Sequence, residues 1–369
     1  MRLRRRTTGS PLQTHGPARK RDNAISEREM NTEKWARMTD TVGETTDELA
    51  QIDSLANAAL TLWPLPGDAR AKRINVSENV TYLVQSSAGK AILRIHRVGY
   101  HTDRAISCEL AWSAALRSEG VIRTPAWRLG RNGEAIQTIG HDRLAPRQMV
   151  MFDFVAGEAP SEDQNLAPAF QELGAIAAQT HLHSLRWVKP RPFERLRWDL
   201  DTVFGDAATW GDWRRGPGVD AAIRSVLEAA ESEVIRCLTI YGHEPDRFGL
   251  IHADMRLANL ILGPEGPVVI DFDDCGFGWF LFDFASAISF MEDSPQIPTL
   301  KDAWLQGYQT IRPLGSVDVA AIDALVMLRR MSLLAWIGSH IDAPEPQALA
   351  PDFAANTASL AEVFLSHKK

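Results

Sequence analysis

Three polar side chains have the types and the spacing that a metal-dependent phosphoryl transfer requires. Asp254 is followed five residues later by Asn259, and Asp271 ends the apolar run 267–270. In such a trio the first carboxylate orients and deprotonates a hydroxyl nucleophile. The amide oxygen and the second carboxylate hold the divalent cation that bridges the nucleotide phosphates. The sequence therefore predicts Asp254 as the catalytic base and Asn259 and Asp271 as Mg²⁺ ligands.

An Asp and an Asn in a loop also commonly cap turns, and this alternative holds for Asp254 and Asn259 taken alone. Asp271 favours the metal site, because a buried strand delivers its carboxylate at a fixed position. Asp273 and Asp274 follow directly. They support the metal site, bind an acceptor or are simply loop acids.

Further polar residues close to this trio are predicted to hold the loop in place. His252 lies two residues before Asp254, and we expect it to orient the loop by hydrogen bonds rather than to act as a general base. Asp283 begins a helical segment and is either an N-cap or a further residue of the catalytic site. His181 and His183 lie on an apolar helix, so we expect satisfied core histidines there rather than a metal site.

The nucleotide side of the site is predicted from a cation earlier in the chain. Arg94 lies within the apolar strand 91–96 and needs a partner, which Glu109 in the next helix can provide. Such a pair would hold Arg94 against nucleotide phosphates, and a purely structural ion pair is the alternative. The turn that carries Ser77 and Asn79 is predicted to cover the phosphates, although it contains no glycine.

The composition is that of an ordinary globular enzyme. The chain has 369 residues, of which 45% are hydrophobic and 24% charged, so it can form two lobes with separate cores. A net charge of −7 makes nucleic acid an unexpected partner. The three cysteines lie far apart and suit a reducing compartment. No apolar stretch reaches the roughly 18 residues of a membrane span, so we expect a cytoplasmic protein without membrane contact.

The N-terminus is predicted to be a basic, disordered tail over residues 1–38. Arg and Lys residues lie there among Thr, Gly, Pro, Gln and Ser, without apolar periodicity. A solvated extension, or a start codon placed too early with Met30 or Met38 as the true start, is favoured over an address signal or a nucleic-acid arm.

Residues 39–155 have the pattern of a small β-rich, nucleotide-binding lobe. A capping box from Thr45 to Glu48 precedes a helix predicted over 46–61, and a second helix is predicted over 103–118. Strands are predicted at 80–85, 91–96, 135–139 and 149–154. A five-stranded antiparallel sheet with one helix packed on it is the expected assembly.

Residues 156–369 are predicted to form a larger, mainly helical lobe. Amphipathic helices are expected at 166–185, 220–241, 299–311, 316–341 and 353–366. Strands are expected there only within 249–271. The chain is therefore predicted to be a bilobal α+β protein with its site in the cleft between the lobes.

Over about residues 70–340, the chain resembles the aminoglycoside phosphotransferase and choline kinase family, which has a protein-kinase-like fold. Within this family it is similar to the branch of type II homoserine kinases, hydroxylysine kinases and stress-response kinase A. The resemblance implies that Asp283 tethers the catalytic loop and that Glu109 pairs with the phosphate-binding cation. It also implies a nucleotide loop at 76–79 and adenine contacts from the backbone of Asp153 and Val155.

The chain departs from the family pattern at two positions. Arg94 stands where much of the family has Lys, and its forked guanidinium would grip phosphates differently. Val76 stands where glycine is common. Neither departure removes the base or the metal ligands.

The expected activity is ATP- and Mg²⁺-dependent phosphorylation of a small-molecule hydroxyl on a hydroxy amino acid, an amino alcohol or an aminoglycoside-like compound. A Ser/Thr protein kinase of the stress-response kinase A type is the main alternative. A phosphatase or glycosyltransferase built on Asp271-Phe-Asp273 would leave Asp254 and Asn259 unexplained. A non-catalytic module is disfavoured because the base and both metal ligands are present.

The acceptor site is indicated only by composition. Acids would suit an amino group and arginines a carboxylate, and ordinary surface or core positions are the alternative. The residues concerned are Trp187, Trp198, Trp210, Trp213, Asp199, Asp201, Glu292, Asp293, Arg329 and Arg330.

Overall fold

An antiparallel sheet is followed by a mainly helical region, as predicted for the α+β class. The computed structural model describes residues 46–367, except 78, 142–143, 162–164 and 343. The predicted tail, Thr45 of the capping box and Glu78 of the predicted nucleotide loop lie outside the described residues. Among the helices that are described, none combines the length and apolar character needed to cross a bilayer.

The N-terminal lobe contains two helices and six described strands in one antiparallel sheet. The strand order is β1-β2-β3-β6-β4, and β5 pairs with β6. The elements are α1 Thr46–Ala59, β1 Arg70–Val76, β2 Asn79–Ser86, β3 Gly89–His96, α2 Asp103–Ser118, β4 Trp127–Arg128, β5 Gln137–His141 and β6 Leu144–Asp153.

The sheet has six described strands rather than the five expected. Neither β1 nor the two-residue β4 was among the predicted strands, and β1 is the longer of the two. It reads Arg-Ala-Lys-Arg-Ile-Asn-Val and is mostly exposed. Charged residues are common on edge strands, where they discourage pairing with other chains. β1 therefore lacks the apolar alternation by which buried strands are recognised.

The alternation of side chains along β3 positions the predicted phosphate-binding cation. Ala91, Leu93 and Ile95 are buried in the core between the sheet and α1. Residues of opposite parity point to the other face, where Ile92 and Arg94 line a cavity. A cation placed in the middle of an apolar strand thus reaches the cleft without entering the core.

The C-terminal lobe contains seven described helices and five short strands. The predicted helices at 166–185, 220–241, 299–311 and 316–341 are present. The elements are α3 Ala167–Arg186, β7 Leu196–Trp198, α4 Leu200–Phe204, α5 Ala221–Tyr241, β8 Phe248–Ile251, β9 Leu260–Gly263, β10 Gly266–Val269, β11 Gly276–Trp279, α6 Phe282–Ala287, α7 Ile297–Gln309, α8 Ser316–Ser339 and α9 Pro344–Ser366.

Two expectations for this lobe were wrong. Helix α9 starts well before the predicted residue 353, because Pro351 lies inside the helix rather than ending it. Strands also occur outside 249–271, since β11 pairs with β7 and β8. The glycines Gly276 and Gly278 permit this pairing, because a Cβ at either position would overlap atoms of the neighbouring strands.

Helices α3 and α7 pack with their backbones in close contact. A Cβ at Gly174 would overlap the carbonyl oxygen of Trp304, and one at Gly307 would overlap that of Gln171. This close approach brings His181 of α3 near Tyr308, the residue that follows Gly307. Both side chains contribute to the support of the site described next.

Candidate active site

Asp283 holds the loop after β8 by two hydrogen bonds to its backbone. The backbone N–H of Ala253 donates to Asp283 Oδ1 at 2.7 Å, and that of His252 donates to Oδ2 at 3.2 Å. Ala253 has φ 66°, a left-handed conformation that costs an L-residue energy. Asp283 lies in the first turn of α6, whose N-cap is Leu281. Its carboxylate therefore faces the loop rather than capping its own helix.

Asp283 is itself held by a chain of buried hydrogen bonds. His181 Nε2 lies 2.9 Å from Asp283 Oδ2, and His181 Nδ1 lies 2.9 Å from the Tyr308 hydroxyl. Arg312 donates to the same hydroxyl at 2.8 Å. Burial lowers the pKa of His181, so the neutral ring donates from Nε2 and accepts at Nδ1. The predicted core histidine thus supports the loop.

Asp254 is surrounded by hydrogen-bond donors. Asn259 Nδ2 donates to its Oδ2 at 2.8 Å, and Arg329 Nη2 donates to its Oδ1 at 3.0 Å. Arg256 Nε lies 3.1 Å from the same Oδ1. Burial raises the pKa of Asp254, but Arg256 and Arg329 outweigh it and hold the pKa below its usual range. The carboxylate is therefore ionised and fixed in direction.

The hydrogen bonds of Asn259 also fix the direction of its amide. Its Nδ2 donates both to Asp254 Oδ2 and to the Asp254 carbonyl oxygen, each at 2.8 Å. The amide oxygen is consequently turned away from Asp254. The backbone N–H of Ile270 donates to the Asn259 carbonyl at 3.0 Å, which brings Asn259 beside the residue that precedes Asp271.

Asp271 lies at the floor of the cavity with φ 59°, also in the left-handed region. Although 49% of its side chain is exposed, desolvation of the carboxylate within the site raises its pKa. Asp273 and Asp254 add to this rise, while Arg94 opposes it. A nearby cation would stabilise the ionised form of this carboxylate. Together with the outward amide oxygen of Asn259, it provides the hard oxygen ligands that suit Mg²⁺.

His252 connects the two loops. Its Nε2 donates to the Ile270 carbonyl at 3.1 Å, and its Nδ1 accepts from the Asp254 N–H at 3.3 Å. Both ring nitrogens are engaged, and the residue is buried. These contacts agree with an orienting residue rather than with a second general base.

Arg94 and Glu109 form the predicted ion pair. Arg94 Nη2 lies 2.8 Å and 2.7 Å from the two carboxylate oxygens of Glu109. Arg94 Nη1 lies 3.6 Å from Asp271 and 3.7 Å from Asp273. Burial lowers the pKa of Arg94, but Glu109, Asp273 and Asp271 outweigh it and raise the pKa. A permanent positive charge thus lies beside the predicted metal ligand.

The predicted nucleotide residues line one cavity of about 310 Å³, which is bounded by the sheet, by α2 and by residues within 261–272. Its volume is at the lower end of the range for ligand pockets. The predicted residues that line it are Ser77, Asn79, Arg94, Glu109, Asp153, Val155 and Asp271.

Asp153 ends β6 at the edge of this cavity. Its N–H already donates to the Ala126 carbonyl at 2.7 Å, and its carboxylate pairs with Arg128 at 2.7 Å. A contact from Asp153 to adenine would therefore use its carbonyl oxygen. Val155 lies two residues further along the same wall.

Asp273 joins the two lobes, a role that its position in the sequence left open. Asn79 Nδ2 donates to Asp273 Oδ2 at 2.8 Å, so this predicted nucleotide residue uses its amide to reach the loop after Asp271. His101 donates to the Asp273 carbonyl at 3.0 Å. His96 lies 3.7 Å from the Asp273 carboxylate. Nothing local in the sequence indicates these contacts.

The residues proposed for the acceptor site separate into two groups. Trp210 and Trp198 pack together and lie near Asp254, because Trp210 also contacts Arg329. The others are engaged elsewhere or exposed. Asp199 caps α4, Trp213 bonds Glu231, Arg330 pairs with Glu292, Trp187 packs on His183, and Asp201 and Asp293 are exposed.

The chain matches the model of the phosphotransferase enzyme family over residues 70–314. It is similar to the solved structure of a microcompartment-associated aminopropanol kinase, with 41% identity and a TM-score of 0.79, covering 85% of this chain and 98% of that one. A homoserine kinase from Gluconobacter oxydans is 24% identical over 282 residues, which are 72% of this chain and 82% of that protein.

A more distant structure shares the fold. The amicoumacin kinase hAmiN, solved with AMP-PNP, Ca²⁺ and amicoumacin, is 20% identical, with a TM-score of 0.67, covering 85% of this chain and 96% of that one. Structural neighbours of this fold thus bind adenine nucleotides.

Proposed function

The chain belongs to the phosphotransferase enzyme family, and we propose that this small-molecule kinase transfers the γ-phosphoryl group of ATP to the hydroxyl of a small amino alcohol. The observation that carries the proposal is the meeting of Asp254, Asn259 and Asp271 beside a cavity that also contains Arg94. Within the described part of the chain, residues 46–155 would then form the nucleotide-binding lobe, and residues 156–367 would carry the catalytic loop and the acceptor site.

Asp254 is the residue that we assign to the acceptor hydroxyl. Its carboxylate, whose pKa Arg256 and Arg329 lower, would accept a hydrogen bond from the hydroxyl and take up the proton as the oxygen bonds to phosphorus. This suits phosphoryl transfer, where positioning and charge stabilisation supply most of the catalysis. His252 and Asp283 keep the loop in place for this step.

Asn259 and Asp271 are the residues that would hold Mg²⁺, through the amide oxygen and the carboxylate respectively. An ion held there would neutralise part of the phosphate charge. The ligand set of one carboxylate and one amide leaves coordination positions for phosphates and water, as Mg²⁺ requires. The left-handed backbone at Asp271 directs its carboxylate into the cavity.

The N-terminal lobe is proposed to bind the rest of ATP. Arg94, held by Glu109, would contact phosphate oxygens. Ser77 would cover the phosphates, and the Asn79 amide would fix that turn through Asp273. The Asp153 carbonyl and the Val155 backbone would contact adenine.

An amino group on the acceptor requires an acid near the base, and we propose Asp274 for this contact. Asp274 is half-buried and accepts from the Tyr100 hydroxyl at 2.9 Å. It interacts electrostatically with Arg329, which in turn binds Asp254. The protein kinase alternative is less well supported, because the relatives described above are named for small substrates.

An ADP-release screen with Mg·ATP tests the proposal. The panel should contain 1-amino-2-propanol, ethanolamine, homoserine, hydroxylysine, an aminoglycoside and a Ser/Thr protein substrate. We expect the highest kcat/KM for an amino alcohol. The Asp254→Asn protein serves as the inactive control. Preferred phosphorylation of the protein substrate, or ADP release that does not depend on any acceptor, would overturn the proposal.

The Asp274 assignment has a separate readout. Asp274→Asn should raise the KM for the amino alcohol by about tenfold, as expected for the loss of one charge-assisted hydrogen bond. The KM for ATP should stay within about twofold because Asp274 is not among the residues that line the nucleotide cavity. Equal changes in both constants would count against this contact.

A further inference from the structure

We infer that Arg329 is a positioning residue for phosphoryl transfer, holding the catalytic carboxylate of Asp254 in its working direction from a rigid setting in helix α8. The inference rests on the proposed function, since it gives Arg329 a role only through the proposed role of Asp254. From the sequence, Arg329 and Arg330 would suit an acceptor carboxylate, with ordinary core positions as the alternative.

The side chain of Arg329 is fixed on several sides. Its Nε donates to Ser289 Oγ at 3.0 Å while Nη2 reaches Asp254 Oδ1 at 3.0 Å. The guanidinium lies over the rings of Trp210 and Phe282, at 5.2 Å and 5.8 Å from their centroids. Arg329 is 2% exposed. A guanidinium between aromatic rings with two of its nitrogens bonded has little freedom to move.

Asp254 depends on this fixed cation to keep its orientation. Asn259 donates to Oδ2, and Arg329 donates to the other carboxylate oxygen, Oδ1. Arg256 also contacts the carboxylate, but 29% of its side chain is exposed, against 3% for Arg329. Without Arg329, the carboxylate would keep one rigid partner and could rotate about its Cβ–Cγ bond. A small misplacement of a catalytic group is enough to slow a reaction strongly.

The next residue in the helix provides a matched control. Arg330 is equally buried, at 3% exposed, and its Nη1 binds Glu292 Oε2 at 2.6 Å. Its Nε donates to Thr357 of α9 at 2.9 Å, and its guanidinium packs on Phe353. Arg330 therefore joins α8 to α9, and the contacts that the described part of the chain gives it do not include Asp254. Both arginines lose a buried ion pair on substitution, but only Arg329 bonds the base.

The experiment compares Arg329→Met with Arg330→Met, using kcat, both KM values and the melting temperature. Both proteins should melt at a lower temperature than the wild type. Arg329→Met should lose about tenfold to a hundredfold in kcat, with the KM for ATP within about twofold of the wild type. Arg330→Met should keep its kcat per folded molecule within about threefold.

Two further variants keep the inference testable if Arg329→Met does not fold. Arg329→Lys retains the charge but cannot contact Ser289 and Asp254 together, so its kcat should fall while the KM for ATP is unchanged. In Arg329→Ala, millimolar guanidinium should restore part of the lost kcat, and ethylammonium at the same concentration should restore less.

The outcomes separate this inference from the proposed function. Full kcat in Arg329→Met, or equal losses of kcat in Arg329→Met and Arg330→Met, would overturn the positioning role alone, provided that Asp254→Asn is inactive. If Asp254→Asn turned over normally, the proposed function would fail first and the inference with it.

Discussion

Asp254 and Asp271 are close enough to interact electrostatically, but the protein surrounds them in opposite ways. Asp254 is contacted by Asn259 and two arginines, and its pKa is lowered. Asp271 is more exposed and lies 3.6 Å from an arginine that is already paired with Glu109, and its pKa is raised. The chain thus supplies the counter-charges for the base itself. The second carboxylate shares its nearest cation, Arg94, with Glu109, so we expect a bound cation to supply further counter-charge.

The largest effect that this contrast predicts is on the base. Asp254→Asn should reduce kcat at least about a hundredfold, because the amide cannot accept the proton. The Asn oxygen can still accept from Arg329, so the fold should survive. Calorimetry should show ATP binding close to that of the wild type. Wild-type turnover in this variant would remove Asp254 from the mechanism.

Asp271→Asn should affect metal-dependent nucleotide binding instead. Loss of the carboxylate should weaken the affinity for ATP at saturating Mg²⁺ by about tenfold or more. Without Mg²⁺, the variant should bind ATP no more weakly than the wild type, because the negative charge near the phosphates is gone. Titration calorimetry with and without EDTA measures both values. Unchanged affinity in the presence of Mg²⁺ would contradict the ligand role.

His181→Leu should have a smaller effect that spreads over stability and activity. It removes the donor to Asp283 and should cost about 1–3 kcal/mol of unfolding free energy. The pKa of His181 is lowered in the folded state, so its contribution to stability is full above the unfolded value of about 6.5 and is lost as pH falls below it.

Denaturant unfolding at several pH values tests this prediction. The stability of wild type should fall more steeply than that of His181→Leu between about pH 7 and about pH 5.5. Parallel curves for the two proteins would show that His181 is not the neutral, buried ring inferred from its contacts.

The smallest effect is expected at the cavity edge. Arg128→Ala breaks an exposed ion pair with Asp153, in which 37% and 52% of the two side chains are exposed. The stability should change by less than about 0.5 kcal/mol. The KM for ATP should also stay unchanged, because the proposed adenine contact comes from the Asp153 backbone. A clear rise in this KM would mean that the Asp153 side chain takes part in binding.

The parts of the site predicted from sequence are those whose functional residues lie close together along the chain. Asp254 and Asn259 lie on one loop, and Asp271 ends the next strand pair, so their spacing already indicated a common site. Arg94 was noticeable because a charge interrupted an apolar strand, and Glu109 followed in the next helix. Edge strand β1 was missed for the opposite reason, since it has no apolar pattern to detect.

The remaining contacts depend on tertiary packing. Arg329 bonds Asp254 across 75 residues, and Asn79 bonds Asp273 across 194 residues. His181 looks like any histidine on an apolar helix until α7 places Tyr308 beside it. No local pattern distinguishes these residues from ordinary core residues. They can be recognised only once the helices and the two lobes are packed together.

The bond from Asn79 to Asp273 also has a consequence for how the two lobes move. Both side chains are buried, and the bond joins the first residue of β2 to the segment that carries Asp271. Breaking a hydrogen bond to a charged group costs about 1.5–3 kcal/mol. A hinge motion that separates the lobes would have to break this bond. The bond therefore stabilises the arrangement in which the two sides of the cavity are close together.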